Sequence, residues 1–78
     1  MPHAATRPFD PTIPVRALVA RHPEAVGVLR RFGIDPRADG RRGLRAAAVR
    51  HGADPEALVD ALDGAVRAHA GLTLGGMH

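Results

Sequence analysis

The stretch RRFGIDPRADGRRGLRAAAVRHG, residues 30–52, decides the fold of this chain. It leaves one helical pattern, crosses a loop rich in arginine and enters a second helical pattern. Gly33 is placed to end the helix before the loop in a left-handed conformation, and the helix after the loop ends at Gly52. Because loops of this length often hold binding or catalytic residues, this loop is the first candidate for a functional site.

Helical periodicity continues on both sides of the loop. Apolar residues at spacing i, i+3, i+4 and i+7 recur in HPEAVGVLRRFG before it and in ADPEALVDALDGAVRAHAG after it. The alternation typical of strands is absent from the sequence. We therefore predict an all-α fold, a compact bundle of four short helices with flexible termini, the helices lying at about 13–21, 23–32, 43–51 and 54–70.

Local signals mark where these helices begin and end. Thr12 is expected to cap the first helix, with Pro14 in its first turn, and Asp54 is expected to cap the last. Gly71 is expected to end that last helix. Gly27, inside the second helix, costs up to about 1 kcal/mol relative to alanine and so indicates a close contact with another helix.

The chain is long enough for one domain only, with 78 residues. We predict an extended N-terminal arm over 1–11, a single small helical domain over 12–70 and a flexible tail over 71–78. The sequence has no cysteine, no apolar run long enough to cross a membrane and no apolar segment of the signal-peptide type near its start. The expected location is the cytoplasm, without membrane association.

A family pattern can be followed through both halves of the chain. It consists of P-x-A-x-x-V-L-x-x-F-G-I-D over 23–35, G-R-x-x-L over 40–44 and G-x-D-P-E-x-L over 52–58. This pattern resembles the small helical N-terminal domain of iron–sulfur cluster repair (di-iron) proteins and the related hybrid-cluster-protein-associated redox-disulfide domain. The resemblance runs from Thr12 to about Val66, about 55 of the 78 residues.

The reactive part of that family pattern is missing from this chain. Where the family has an aromatic residue and two cysteines, this chain has Pro36, Arg37 and Ala38, and Asp39 replaces a glycine. Neither arginine nor alanine can form a disulfide or supply a thiolate to iron. The redox or metal-donating chemistry of the family is therefore carried over to no residue here. The matching residues that remain are expected to shape the loop: Gly33, Ile34, Asp35, Gly40 and Leu44.

Positive charge is concentrated in and around the loop. Residues 30–50 contain seven arginines against two aspartates, whereas 54–70 contain four carboxylates against one arginine. One interpretation is an anion- or nucleic-acid-binding loop, helped by free N–H groups at the start of the third helix. The other is a charge-segregated surface that pairs within the molecule, pairs with a second copy or is solvated. The candidate anion contacts are Arg37, Arg41, Arg42 and Arg45.

Two features of the sequence argue against the recognition of nucleic acid. The arginines of the loop have no aromatic residue beside them to stack on a base. A helix-turn-helix interpretation of residues 44–62 would present Glu56, Asp60 and Asp63 to the phosphates, and that contact is repulsive.

Patterns of catalytic and metal-binding residues are not found. The sequence has no serine or cysteine to act as a nucleophile, and no two histidines have the spacing of a local metal pair. Asp35 and Asp39 are expected to be turn or capping groups, with pKa values lowered by the nearby arginines. His51 is expected to stabilise the end of the third helix. We predict no enzymatic activity, no catalytic residue, no metal site and no cofactor.

A non-enzymatic, small helical protein-interaction module is the function that these patterns favour. It would dimerise or dock on a partner protein, as a cysteine-less relative of the cluster-repair domain, through apolar patches at Val59 and Val66, at Val26 and at Val49. Two alternatives stay open. One is binding of an anion or nucleic acid through the arginine-rich loop 37–45, and the other is an iron- or redox-related accessory domain whose partner supplies the ligands.

Overall fold

Four helices follow one another in the part of the chain that the computed structural model describes, residues 8–75, with side chains described for 8–70. They are α1 (Val15–Arg21), α2 (Ala25–Arg31), α3 (Leu44–Arg50) and α4 (Pro55–Gly75). The predicted all-α bundle of four helices is confirmed. Residues 1–7 and 76–78, at the ends of the predicted arm and tail, lie outside the described residues.

Two glycines end α2 and α3 in the same way. Gly33 has φ 79° and Gly52 has φ 72°, in the left-handed region that favours glycine. After α2, the N–H of Ile34 donates to the carbonyl of Leu29 at 2.9 Å, and the N–H of Gly33 donates to the carbonyl of Arg30 at 3.0 Å. This is the Schellman arrangement, which satisfies the last carbonyls of the helix. Both predicted helix ends are confirmed.

Of the two predicted capping residues, one caps its helix and the other does not. The Asp54 carboxylate accepts the N–H of Glu56 at 2.9 Å and so caps α4. Thr12 does not cap α1, which begins at Val15 without a side-chain cap. The Thr12 hydroxyl instead donates to the carboxylate of Asp10 at 2.7 Å. The prediction for Thr12 is wrong because the first N–H groups of α1 have other acceptors, which lie in the loop before α3.

The last helix is longer than the sequence pattern indicates. α4 continues to Gly75, so the prediction that it ends at Gly71 is wrong, and the first part of the predicted tail is helical. Glycine can adopt helical angles at a cost of about 1 kcal/mol relative to alanine, and no proline follows Gly71 to prevent continuation.

Gly27 lies on the exposed side of α2. A Cβ atom added there would have no heavy atom within 4 Å. The predicted close contact between helices at this position is therefore wrong, and Gly27 only weakens the helix.

The core is built around α4. Both α2 and α3 pack against α4, and α1 packs against α2. Phe9 and Ile13 are buried with these helices although they precede α1, so the core begins before the predicted domain start at Thr12. The largest fully buried side chains are Val15, Leu18, Leu29, Ile34, Leu44, Leu58, Val59 and Leu62.

Two of the valines expected at the surface lie in this core. Val59 is 0% exposed and Val66 is 5% exposed, so the predicted apolar patch on α4 is wrong. The reason is that α4 packs against two helices and buries a wider face than its main apolar stripe. Val26 is half-buried, and Val49 remains at the surface with 66% of its area exposed.

Candidate functional site

The loop between α2 and α3 is bonded to the start of α1. The N–H of Val15 donates to the carbonyl of Arg42 at 2.8 Å, and the N–H of Arg16 donates to the carbonyl of Gly40 at 2.9 Å. Helix starts leave such N–H groups without intrahelical partners. The loop therefore supplies the acceptors that α1 needs, and α1 in turn fixes the position of the loop.

The start of α3 is bonded in the opposite direction. The N–H of Leu44 donates to the carbonyl of Ile13 at 3.1 Å, next to an isolated β-bridge between Pro14 and Gly43. The first N–H group of α3 is thus already occupied. The prediction that free N–H groups at this helix start assist anion binding is wrong for that group.

Close packing of the chain explains the glycine at position 40. A Cβ atom there would lie 2.8 Å from the carbonyl oxygen of Pro36 and 3.3 Å from Cβ of Arg16. The first distance is too short for any side chain to occupy without moving the backbone. Gly40 therefore lets the loop approach α1 closely enough to form the hydrogen bonds described above.

Asp35 and two apolar anchors hold the rest of the loop. The Asp35 carboxylate accepts the N–H of Arg37 at 2.9 Å, and its carbonyl accepts the N–H of Asp39 at 2.8 Å. Ile34 and Leu44, on either side, are buried in the core. The structure thus places the residues expected to shape the loop at its turn and at its two ends.

Asp39 is the buried charged residue of the loop, with 2% of its surface exposed. One carboxylate oxygen accepts a hydrogen bond from Nε2 of His51 at 2.7 Å. The other oxygen lies 3.2 Å from Nε of Arg42 and 3.9 Å from Nε of Arg50. Since these donors come from the loop and from the end of α3, the carboxylate ties the loop to that helix.

The pKa of Asp39 is held below its ordinary value. The hydrogen bond from His51 is the main cause, the positive charges of His51 and Arg42 add to it, and burial opposes it. The sequence predicts a lowered pKa from the arginines alone and misses His51. The pairing joins residues twelve positions apart, and the sequence signal that could have indicated it is a carboxylate at a position where the family pattern that the sequence resembles has glycine.

Three of the four predicted anion contacts meet in one place. Arg37, Arg41 and Arg42 line an open depression of about 590 Å³. Arg45 lies elsewhere, because its guanidinium is 2.7 Å from the carboxylate of Glu56. We call this surface the arginine depression, and its lining residues are Arg16, Pro36, Arg37, Ala38, Gly40, Arg41 and Arg42.

Arg16 is the member of the arginine depression that the sequence does not indicate. It projects from the first turn of α1, far from the loop in sequence. The hydrogen bond between its N–H and the carbonyl of Gly40 helps to bring the two together, and no local pattern predicts that bond.

Most of the arginine charge in the depression has no counter-charge among the described residues. Among the described residues, Arg16, Arg37 and Arg41 form no ion pair with a carboxylate, whereas Arg42 pairs with Asp39. The backbone N–H groups of Gly40 and Arg41 likewise have no acceptor there, within the part of the chain described. The surface therefore presents hydrogen-bond donors and positive charge, the combination that binds oxyanions.

A second open depression adjoins the first. It has a volume of about 500 Å³ and shares Pro36 and Arg37 with the arginine depression. We call it the valine depression, because half-buried Val19 and Val26 contribute its apolar wall. Its lining residues are Val19, Val26, Arg30, Asp35, Pro36 and Arg37.

The described residues contain neither a metal-binding cluster nor a membrane-spanning helix. The described residues contain no group of three or more histidine, aspartate or glutamate side chains placed to hold a metal ion. Within the same part of the chain, no helix combines the length and apolar character needed to span a bilayer.

Comparison of the chain with family models, with curated proteins and with solved structures finds no match. The resemblance to the cluster-repair N-terminal domain therefore stays a prediction. The function has to be inferred from the geometry of the two depressions.

Proposed function

We propose that this protein is a non-enzymatic helical interaction module that docks an acidic segment of a partner protein on the arginine depression. The observation that carries the proposal is the convergence of Arg16, Arg37 and Arg41, none paired with a described carboxylate, on one open surface. The proposal keeps the cytoplasmic location that the sequence predicts.

The chemistry of arginine supports an acidic partner. A guanidinium group presents its donors in a planar fork that matches the two oxygens of a carboxylate, or those of a phosphate. Arginine is also enriched at the cores of protein interfaces. Since Val59 and Val66 are buried, charge rather than an apolar patch of α4 supplies the contact surface.

The valine depression supports a protein rather than a nucleic acid as the partner. It places an apolar wall directly beside the arginines, through the shared residues Pro36 and Arg37. A peptide offers acidic and apolar side chains in succession, whereas a nucleic-acid backbone offers phosphates at regular intervals. Neither depression is lined by an aromatic residue on which a base would stack.

Binding of a fluorescein-labelled peptide with alternating glutamate and leucine residues tests the proposal by fluorescence anisotropy. We expect the double variant Arg37→Ala/Arg41→Ala to bind at least about tenfold more weakly than the wild type, and both to bind more weakly as salt rises. The matched control is Arg21→Ala/Arg31→Ala, which removes the same charge from exposed positions outside both depressions.

Three outcomes would contradict the proposal. One is no detectable binding at low salt, and another is an equal loss of affinity in both double variants. The third is tighter binding to duplex DNA of the same total charge, which would favour the nucleic-acid alternative. The iron- or redox-related accessory role stays a prediction, since no contact among the described residues bears on it.

A further inference from the structure

We infer that the arginine depression binds the phosphate group of a phosphorylated serine or threonine, and that the valine depression binds an aliphatic side chain next to it in the same peptide. This inference rests on the proposed function and narrows the class of partner. Three observations support it: the unpaired donors of the arginine depression, the backbone hydrogen bonds that hold the loop, and the residues that the two depressions share.

The charge of the depression exceeds what a single carboxylate neutralises. Arg16, Arg37 and Arg41 contribute three positive charges without a described counter-charge. A phosphate monoester carries a charge of about −1.5 to −2 at pH 7 and offers three acceptor oxygens, whereas a carboxylate carries −1 and two oxygens. Gly40 and Arg41 also line the depression, and their N–H groups have no acceptor among the described residues.

The carboxylate nearest to these arginines in sequence does not oppose an anion. Asp39 is buried, and its two oxygens face His51 on one side and Arg42 on the other. It does not line either depression. An incoming phosphate therefore meets the guanidinium groups and not the carboxylate.

The backbone that carries these donors is held in place before a ligand arrives. The carbonyl of Gly40 is bonded to the N–H of Arg16, and the carbonyl of Arg42 to the N–H of Val15. These bonds fix the backbone on both sides of Arg41. A site that is ordered in advance loses less conformational freedom on binding, and this favours affinity for a small group such as phosphate.

The junction of the two depressions sets the second feature of the ligand. Pro36 and Arg37 line both, so a residue adjacent to the phosphorylated one can reach the wall formed by Val19 and Val26. That wall selects an aliphatic side chain by burying its surface. Since Arg30 and Asp35 also line the valine depression, its rim remains polar.

Anisotropy measurements on four short fluorescein-labelled peptides test the inference. The first has one phosphoserine flanked by leucines, the second has serine in its place, the third has glutamate, and the fourth has phosphoserine flanked by glycines. We expect the first to bind at least about tenfold more tightly than the second and the third, and several-fold more tightly than the fourth.

Single variants assign the two contacts. Arg41→Ala is expected to lose most of the affinity for both phosphopeptides, whereas Arg31→Ala, exposed and outside both depressions, keeps it. Val26→Thr is expected to weaken only the leucine-flanked phosphopeptide. Circular dichroism of each variant confirms that the helices are retained.

The outcomes separate this inference from the proposed function. If the glutamate peptide binds as tightly as the phosphopeptide and depends on Arg41, the inference is overturned while the proposed function stands. If inorganic phosphate competes at the same concentration as the phosphopeptide, the ligand is a free anion and the peptide part is overturned. If no anionic peptide binds in an Arg41-dependent manner, both the inference and the proposed function are contradicted.

Discussion

At the residue scale, Asp39 is the group that joins the arginine-rich loop to α3. It is buried, its carboxylate is hydrogen-bonded to His51, and it forms an ion pair with Arg42. If the charge of Asp39 is removed, the donors of His51 and Arg42 lose their buried anionic acceptor. The loss of such a partner destabilises folded proteins. The loop therefore depends on a carboxylate that lines neither depression.

Asp39→Asn is expected to lower the midpoint of thermal unfolding at pH 7 clearly. Glu56→Gln, the control, removes the same charge from an exposed pair with Arg45 and is expected to change the midpoint little, because exposed ion pairs contribute little. Equal midpoints for the wild type and Asp39→Asn would contradict the role given to this carboxylate.

The pH dependence of the same comparison follows from the lowered pKa of Asp39. A group whose pKa is lowered by folding stabilises the folded state above its ordinary pKa, near 4 for a carboxyl, and this contribution is lost as the pH falls through the lowered value. We therefore expect the free energy of unfolding of the wild type to exceed that of Asp39→Asn by the largest amount at pH 7. This difference is expected to shrink below about pH 4. Denaturant unfolding at a series of pH values measures it.

Alanine substitutions at Gly40 and at Gly27 are expected to change the free energy of unfolding in opposite directions. Gly40→Ala places a Cβ atom 2.8 Å from the Pro36 carbonyl oxygen, so we expect a loss of about 1–3 kcal/mol in the free energy of unfolding. Gly27→Ala meets no atom within 4 Å and is expected to raise that free energy by up to about 1 kcal/mol. Denaturant unfolding compares the two variants, and changes of the same sign would contradict the packing described for the loop.

At the element scale, α4 is stabilised by packing on two sides, and its valines are core residues. Val59→Ala removes methyl groups from a fully buried position, for which we expect a loss of about 1–3 kcal/mol in the free energy of unfolding. Val49→Ala, at the exposed valine of α3, is expected to change it by no more than about 0.5 kcal/mol. If Val59→Ala changed the free energy of unfolding as little as Val49→Ala, the core position of Val59 would be contradicted.

The helices were predictable because their signals are local. Gly33 and Gly52 can adopt left-handed angles, and Asp54 bonds an N–H group two residues away. Thr12 has an equally good local signal, yet its hydroxyl bonds Asp10, because distant carbonyls of the loop take the donors of α1. Local patterns thus predict helix ends except where a tertiary hydrogen bond replaces the cap.

The candidate site was only partly predictable for the same reason. Arg37, Arg41 and Arg42 follow one another in one loop, so their proximity follows from the sequence. Arg16 joins them only when the loop packs on α1, and His51 meets Asp39 only when α3 folds back beside the loop. Side chains supplied by different elements depend on packing, which hydrophobic periodicity does not determine.

At the scale of the whole molecule, charge is divided between two regions. The arginine depression presents guanidinium groups without a described counter-charge, while Glu56 and Asp63 on α4 are paired with Arg45 and Arg67. Two of the acidic side chains of α4 are therefore paired within the molecule, whereas three arginines of the depression have no described counter-charge. Attraction of an anionic partner is expected at the depression, and it is expected to weaken as salt rises.

The most direct test of the central claim is a map of where an acidic partner touches the molecule. Titration of ¹⁵N-labelled protein with the glutamate–leucine peptide, followed by ¹H–¹⁵N correlation spectra, gives that map residue by residue. We expect the largest shifts at the backbone amides of Arg16, Gly40 and Arg41, and we expect Arg37→Ala/Arg41→Ala to abolish them. Shifts confined to α4, or spread evenly over the exposed arginines, would contradict this claim.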